Sequence, residues 1–492
     1  MNIGFLTEPE LEFGSSGTHI DVRFGLSQYG PLDVDDKSAP SNIKVGIVGT
    51  NETIEGLQNW LEKGKSRIEA KESRLHNLFP PFPGFSSESC FKSTIEYSDK
   101  WSVAIQKKEI DGLIASDEPD QLLDAAVDFF IQAAEDIVSR GGPMVLICAP
   151  PQDLFAALDH GPGNPSDPLE EEIDEGSETK DDRTTKKHVF FHDLLKAKGM
   201  RLGIPIQLIR PHTYTGQRVR ATKGKIKLDH SLQDEATRAW NFHTALYYKA
   251  GGIPWRLLRS QSALTTCYVG ISFYRSLEGD RLLTSVAQIF NERGEGIIIE
   301  GGQAELDKDD KTPHLSGEDA KTLLKNAIQT YRREHRTVPA RVVVHKTSKM
   351  SHEEIEGFET ATKEERVDST DLLSVRRSLT RLFRESTYPP LRGTFLQLEE
   401  RRGLIYLRGS VNFFEAYPGL YVPRPLEFHV HKAEATDLQL AREVFSLSKL
   451  NWNNTQFDGG EPITVRAARH VGDILKCIPE DENPQPAFRY YM

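Results

Sequence analysis

The sequence predicts an α/β protein built in two parts, and three observations carry that expectation. Buried-strand runs alternate with amphipathic helices over the first half, which argues for parallel layering. From residue 264 the order changes to consecutive strands joined by short turns, then a long helix and more strands, which suits a mixed sheet. The length of 492 residues exceeds one domain at roughly 150 residues each. With 38% hydrophobic and 27% charged residues the composition is globular, so collagen-like, disordered and disulfide-knot classes are excluded.

The elements follow in order. The first 40 residues are rich in Gly, Asp and Pro and predict a loop-dominated arm, bounded at 1–42. IKVGIVGT (43–50) reads as a buried strand ending in a turn, with a helix over 54–71. An amphipathic helix over 121–140 leads into a second strand, PMVLICAP (143–150). Residues 151–182 hold 11 acids and one lysine among several Pro and Gly, and predict a solvated insertion. A helix over 188–198, a strand around Gln207, a basic stretch, and a helix ending on Gly251-Gly252 complete the first part. Strands are expected at 264–276, 284–302, 340–348, 404–411 and 425–433, with helices at 317–336 and 466–477.

Four cysteines, Cys90, Cys148, Cys267 and Cys477, lie far apart without C-x-x-C spacing, which argues against a zinc ribbon or disulfide framework. They read as reduced thiols suited to the cytoplasm. The N-terminus carries acids where a secretory signal needs bases, and no run approaches 18 apolar residues. A soluble, cytoplasmic protein with no membrane partner is expected.

The formal charge of -12 argues against a nucleic-acid binder only if it is spread evenly. It is not. The acidic stretch at 151–182 carries nearly all of the excess, and residues 183–250 hold 14 Lys and Arg against 4 Asp and Glu. Within that block RVRATKGKIK (218–227) presents Arg218, Arg220, Lys223 and Lys225, the kind of cluster that neutralises phosphates.

His192 and Lys196 stand four apart on the predicted helix and therefore share a face. Gln207 lies 11 residues beyond Lys196 in the next strand, and Lys249 closes the helix before Gly-Gly. A terminal phosphate needs several converging donors, and ammonium, amide and imidazole groups supply them. Each residue alone has a plain structural reading: a half-buried helix His, a strand Gln, a helix C-terminal Lys. Together they point to an anion.

That set resembles the 5′-phosphate pocket of the MID domain of Argonaute proteins, carried by FHDLLKAKGMRLGIPIQ and the YYKAGGIPW run. RFGLSQYGPLD, VGIVGT and LFPPFPGF near the start, and LSKLNWNNTQFDGGEPITVRAARHVGDIL near the end, resemble short prokaryotic Argonautes. The resemblance implies a Rossmann-like MID domain at 43–260, containing the acidic insertion, and an RNase H-like PIWI domain at 261–492. It implies that His192, Lys196, Gln207 and Lys249 bind a guide 5′-phosphate. It further implies that the C-terminal carboxylate, at Met492, holds Mg²⁺ against the guide phosphates.

The same resemblance addresses cleavage. In cleaving relatives an Asp stands in a Gly-Ile-Asp context on the first PIWI strand, where this sequence has Gly270-Ile271-Ser272. A second Asp follows the VVV strand, where this sequence has His345-Lys346-Thr347, so an ammonium is expected at or beside a metal position. The last helix offers Ala468, Arg469 and His470, and Glu292 or Glu295 remains as a lone carboxylate. Two divalent ions need several carboxylates, so no catalytic metal and no slicer activity are expected. Arg466 and Arg469 are candidates for backbone contact. The implied role is that of a recognition subunit in prokaryotic immunity. It takes a short guide RNA and a complementary single-stranded DNA target, and pairs with an APAZ-containing effector of sirtuin-like, TIR or nuclease type. The alternative is a metal-dependent nuclease that cleaves the paired target itself.

Overall fold

The structure, a computed structural model, describes residues 2–116, 119–159, 189–217, 219–222, 225–228, 232–258, 264–290, 296–307, 311–383, 389–417, 422–456, 459–479 and 482–492. The acidic segment beyond Asp159, together with Arg218, Lys223, Glu292 and Glu295, lies outside these residues.

The arm is not the loop expected of it. Asn2–Phe5 forms a strand that pairs antiparallel with Thr394–Glu399, Phe5 standing opposite Thr394. Leu11–Glu12 pairs with both Thr18–His19 and Arg256–Leu257, and the Arg256 guanidinium meets Glu12 at 2.8 Å. Asp21 caps the helix Val22–Tyr29 by accepting from the N–H groups of Arg23 and Phe24. Leu11 and Phe13 are fully buried, so burial orders pieces too short to show periodicity.

The first unit is a parallel sheet in the order Thr94–Glu96, Asn42–Gly49, Val145–Ala149, Ile206–Leu208, with Ser102–Ala104 also paired to Asn42–Gly49. The helix after the first strand runs over Asn51–Gly64, starting earlier and ending sooner than its periodicity suggested. Thr50 supplies the start through a capping box with Thr53. Pro119–Ser139, Phe191–Gly199 and Glu235–Lys249 are the other principal helices.

The second unit is a nine-stranded mixed sheet. Its order is Asn2–Phe5, Thr394–Glu399, Arg402–Ile405, Leu426–Lys432, Ser369–Arg377, Arg341–Lys346, Thr266–Arg275, Leu282–Phe290, Gly296–Gln303. Thr266–Arg275, Arg341–Lys346 and Ser369–Arg377 are mutually parallel, and the remaining pairings are antiparallel. Gly317–His335 and His352–Glu364 pack one face, where Val269, Ile271, Val342, Val344 and Leu372 are buried. Ile463–Leu475, the last helix, covers the other face and also meets Phe191–Gly199 of the first unit. One continuous apolar core joins the units. Trp255 donates to Lys449 O at 3.0 Å, Trp452 donates to Trp255 O at 3.1 Å, and Trp452 stacks on Tyr248. No helix among the described residues is long and apolar enough to cross a membrane.

Candidate nucleic-acid interface

The helix Phe191–Gly199, the strand Ile206–Leu208 and the end of Glu235–Lys249 bring three of the four expected residues together. Lys196 is buried, and its Nζ donates to the main-chain oxygens of Ile206 and Met492. Lys249 is equally buried and donates to Gln207 Oε1, while Gln207 Nε2 donates to Leu208 O at 3.0 Å. The Gly-Gly that follows is required sterically. Gly251 holds φ +100, and a Cβ on Gly252 would lie 2.2 Å from the Tyr247 ring.

The segment ending at Met492 is seated by Tyr490, whose hydroxyl donates to Gly203 O at 2.8 Å, and by Ile298 N–H, which donates to Pro486 O at 2.7 Å. Arg489 was not singled out from the sequence, yet its guanidinium lies 3.2 Å from where a Gly251 Cβ would stand. The tail reads RYYM, so a cation beside the pocket was visible, but only the fold shows which way the turn Phe488–Tyr490 aims it.

Electrostatics single this cluster out. Burial pulls the Lys196 ammonium down to about 7. Lys249 is held well below the usual lysine range, by burial first and by the Lys196 charge second. Among the described residues no carboxylate side chain pairs with either lysine. Their acceptors are main-chain and amide oxygens, and the neighbouring Cys148 thiol is itself pushed up to about 12 by burial. Two desolvated lysines side by side, neither paired with a carboxylate side chain among the described residues, form a site that favours an added anion.

His192 stands on the same helix but bonds elsewhere. Its Nδ1 lies 3.0 Å from Asp193 Oδ1, and burial raises the Asp193 carboxyl. The pair faces the last helix, where His470 is brought down to about 4 by burial first and then by Arg466. Arg466 is half-buried near His470 on the last helix, and desolvation lowers its guanidinium to about 10. The backbones of Arg220 and Lys225 belong to a two-stranded ribbon, Val219–Thr222 against Lys225–Leu228. A cavity of about 540 Å³ lined by Ile297, Ile299, Asn326, Gln329 and Arg333 shares none of these residues.

The register separates the two positions expected at a nuclease centre. Ile271 pairs with Lys346, and Lys346 with Ser374, so these three point to one face. Ser272 points to the other, with Gly270 and its partner His345. The expectation that Lys346 sets an ammonium at or beside a metal position shared with Ser272 does not fit this register: a one-residue step along a pleated strand reverses the side chain. Lys346 is fully buried in an ion pair with Glu354 at 2.7 Å, and it also donates to Lys349 O and Pro313 O. Ser272 lies beneath the last helix. Gly270 permits that approach, since a Cβ there would meet Thr464 O at 2.0 Å. His345 Nδ1 lies 2.9 Å from Thr464 Oγ1, and burial holds the ring at about 3, hence neutral.

This architecture matches solved structures closely enough to define the fold. Clostridium butyricum Argonaute, bound to a guide DNA and a 19-mer target DNA, superposes with a TM-score of 0.62 at 14% identity, over 98% of this chain and 54% of that one. Drosophila Piwi gives 0.61 at 12% identity, over 99% and 56%. Aa-Ago with externally bound siRNA gives 0.60 at 12% identity, over 100% and 56%. The fold is that of the MID and PIWI portion of Argonaute and Piwi proteins. The chain spans about half the length of these structures. No protein-family model and no curated protein matches the sequence.

Proposed function

We propose that this chain binds the 5′-phosphorylated end of a short guide RNA and, through the guide, a complementary single-stranded DNA target. The observation that carries this reading is the buried pair Lys196, bonded to the Met492 oxygen, and Lys249, bonded to Gln207, with no carboxylate side chain among the described residues to neutralise them. A phosphate dianion entering beside them supplies the missing charge through charge-assisted hydrogen bonds. Base pairing then reads sequence while the protein holds the backbone. Support comes from the fold shared with an Argonaute solved on guide and target DNA.

Mg²⁺ belongs to the proposal in one form only. A single main-chain oxygen at Met492 beside two ammonium groups cannot cage a divalent ion, but it can share one with phosphate oxygens and water, the usual habit of Mg²⁺. Such an ion would supply charge neutralisation between phosphates. Lys196 fixes the oxygen that it would use.

In the same reading the chain is a cytoplasmic recognition subunit of an immune system rather than a nuclease. Its enzymatic output is assigned to an APAZ-containing effector subunit of sirtuin-like, TIR or nuclease type. What supports this is the Ser272 face, with a buried hydroxyl in place of a carboxylate and Lys346 committed to Glu354 on the opposite side. The test is direct. The purified protein should carry short 5′-phosphorylated nucleic acid, and Lys196→Ala with Lys249→Ala should strip it; guide retained by the double variant sinks the assignment. Cleavage of a paired target by the isolated chain with Mg²⁺ or Mn²⁺ would establish the alternative, a nuclease in its own right.

A further inference from the structure

We propose that the cavity between the last strand of the large sheet, Gly296–Gln303, and the helix Gly317–His335 binds a small organic acid, one carboxylate carried on an aliphatic body. None of its lining residues belongs to the guide-end pocket, so its occupancy does not depend on a guide.

Packing makes the cavity. At one end the strand and the helix touch, since a Cβ on Gly301 would lie 2.7 Å from Thr284 and 2.9 Å from Leu323. Towards Ile297 the gap opens to about 540 Å³, a volume ordinary for a small-molecule site. Asn326, Gln329, Thr330 and Arg333 line the helix side, and their spacing puts them on one face. Ile297 and Ile299 line the strand side, two apart and packed towards the core beneath that helix. Pro486 lines it as well, held in place because Ile298 N–H donates to Pro486 O at 2.7 Å and Ile297 bridges to Ala487.

The walls are aliphatic, and the rim carries one cation that no acid matches. Arg332 pairs with Glu365 at 3.4 Å, and Gln329 Nε2 donates to the same carboxylate at 2.9 Å. Arg333 Nη2 donates instead to Thr330 Oγ1 at 2.9 Å, a neutral oxygen in the cavity wall, and no carboxylate among the described residues pairs with it. That bond turns the guanidinium to the cavity and leaves its other nitrogens to receive a carboxylate through charge-assisted hydrogen bonds. From Asn326 to Arg333 the helix stripe runs roughly 10 Å, the reach of a medium-length acyl chain that Ile297, Ile299 and Pro486 would cover.

Two other occupants fit less well. A nucleotide base binds best on an aromatic ring, and among the described residues no aromatic side chain lines the cavity. An added peptide strand needs a free main-chain edge, but Pro486 and Ala487 already hold that edge at Ile297 and Ile298.

The test titrates the full chain, without guide, with decanoate kept below its micelle concentration, followed by calorimetry. One molecule should bind per chain. Octanoate should bind about tenfold more weakly, since each buried methylene is worth about fourfold. Decanol, which lacks the charge, and acetate, which lacks the chain, should each bind at least about tenfold more weakly than decanoate. Arg333→Gln should lower decanoate affinity about tenfold and keep the ratio of decanoate to octanoate. Asn326→Trp fills the gap from an exposed helix position and should abolish binding while the melting temperature of the free protein stays near wild type. Lys196→Ala/Lys249→Ala should bind decanoate like the wild type. No saturable binding of decanoate, equal affinity for decanol, affinity unchanged in both cavity variants, or loss of binding in the double lysine variant would each overturn the site.

Discussion

The Lys196 ammonium donates to the main-chain oxygen of Met492, 296 residues further along the chain. The contact closes the proposed guide-end pocket with chain from the second unit, so that pocket needs both units folded and docked. Tyr490 on Gly203 O and the Trp255–Lys449 bond hold that docking. Removing the last four residues, 489–492, should therefore abolish 5′-phosphate binding while the circular-dichroism spectrum stays near wild type. Undiminished binding would show that the pocket is built by the first unit alone.

The pH dependence follows from the same lysine. Lys196 titrates at about 7 in the folded chain against an ordinary 10.5. Between those values the unfolded chain holds a proton that the folded chain lacks, so this group makes stability rise with pH across that window, by about 1.4 kcal/mol per pH unit. Below about 7 both states are protonated and the slope ends. Lys196→Met should remove the slope, which denaturant titrations at pH 7, 8 and 9 would show as curves less spread than those of the wild type. Guide binding moves oppositely: phosphate needs the charged ammonium, so 5′-phosphate affinity should fall as pH rises above 7.

Lys346 and Glu354 form a fully buried ion pair that also receives the N–H groups of Leu315 and Ser351. Lys346→Ala should cost about 3–5 kcal/mol, because it removes the lysine partner of a buried carboxylate and leaves it only His314 and main-chain N–H groups. Ser272→Asp with Lys346→Asp should not create a nuclease, since the two carboxylates would lie on opposite faces. Metal-dependent cleavage by that double variant contradicts the register.

Gly270 lies under the last helix with no room for a methyl group. Gly270→Ala should lift the helix from the sheet and destabilise the protein by about 1–3 kcal/mol. An unchanged melting temperature would show that the helix is free to shift.

Much of the pocket was legible from sequence because each member sits at a punctuated position. Lys196 stands four after His192 on a helix, Gln207 is in the following strand, and Lys249 precedes a Gly-Gly stop. Local spacing therefore implied convergence. The role of His192 was less legible, since its bond to Asp193 depends on how the last helix packs against it. Ser272 and Lys346 were grouped because each matches a motif position, but only pairing partners reveal which face a strand residue takes. The arm was read as loop because a four-residue strand such as Asn2–Phe5 has too few residues for an alternation, and its partner is nearly the whole chain away.

The central claim is that Lys196 and Lys249 recognise a terminal phosphate, and one measurement tests it most directly. A single oligonucleotide, carrying either a 5′-phosphate or a 5′-hydroxyl, is titrated into the wild-type protein and into the Lys196→Ala/Lys249→Ala variant. Two charge-assisted contacts predict a preference for the phosphate of about a hundredfold in the wild type and near parity in the variant. Equal affinity for the two ends in the wild type, or a preference that survives in the variant, would contradict it.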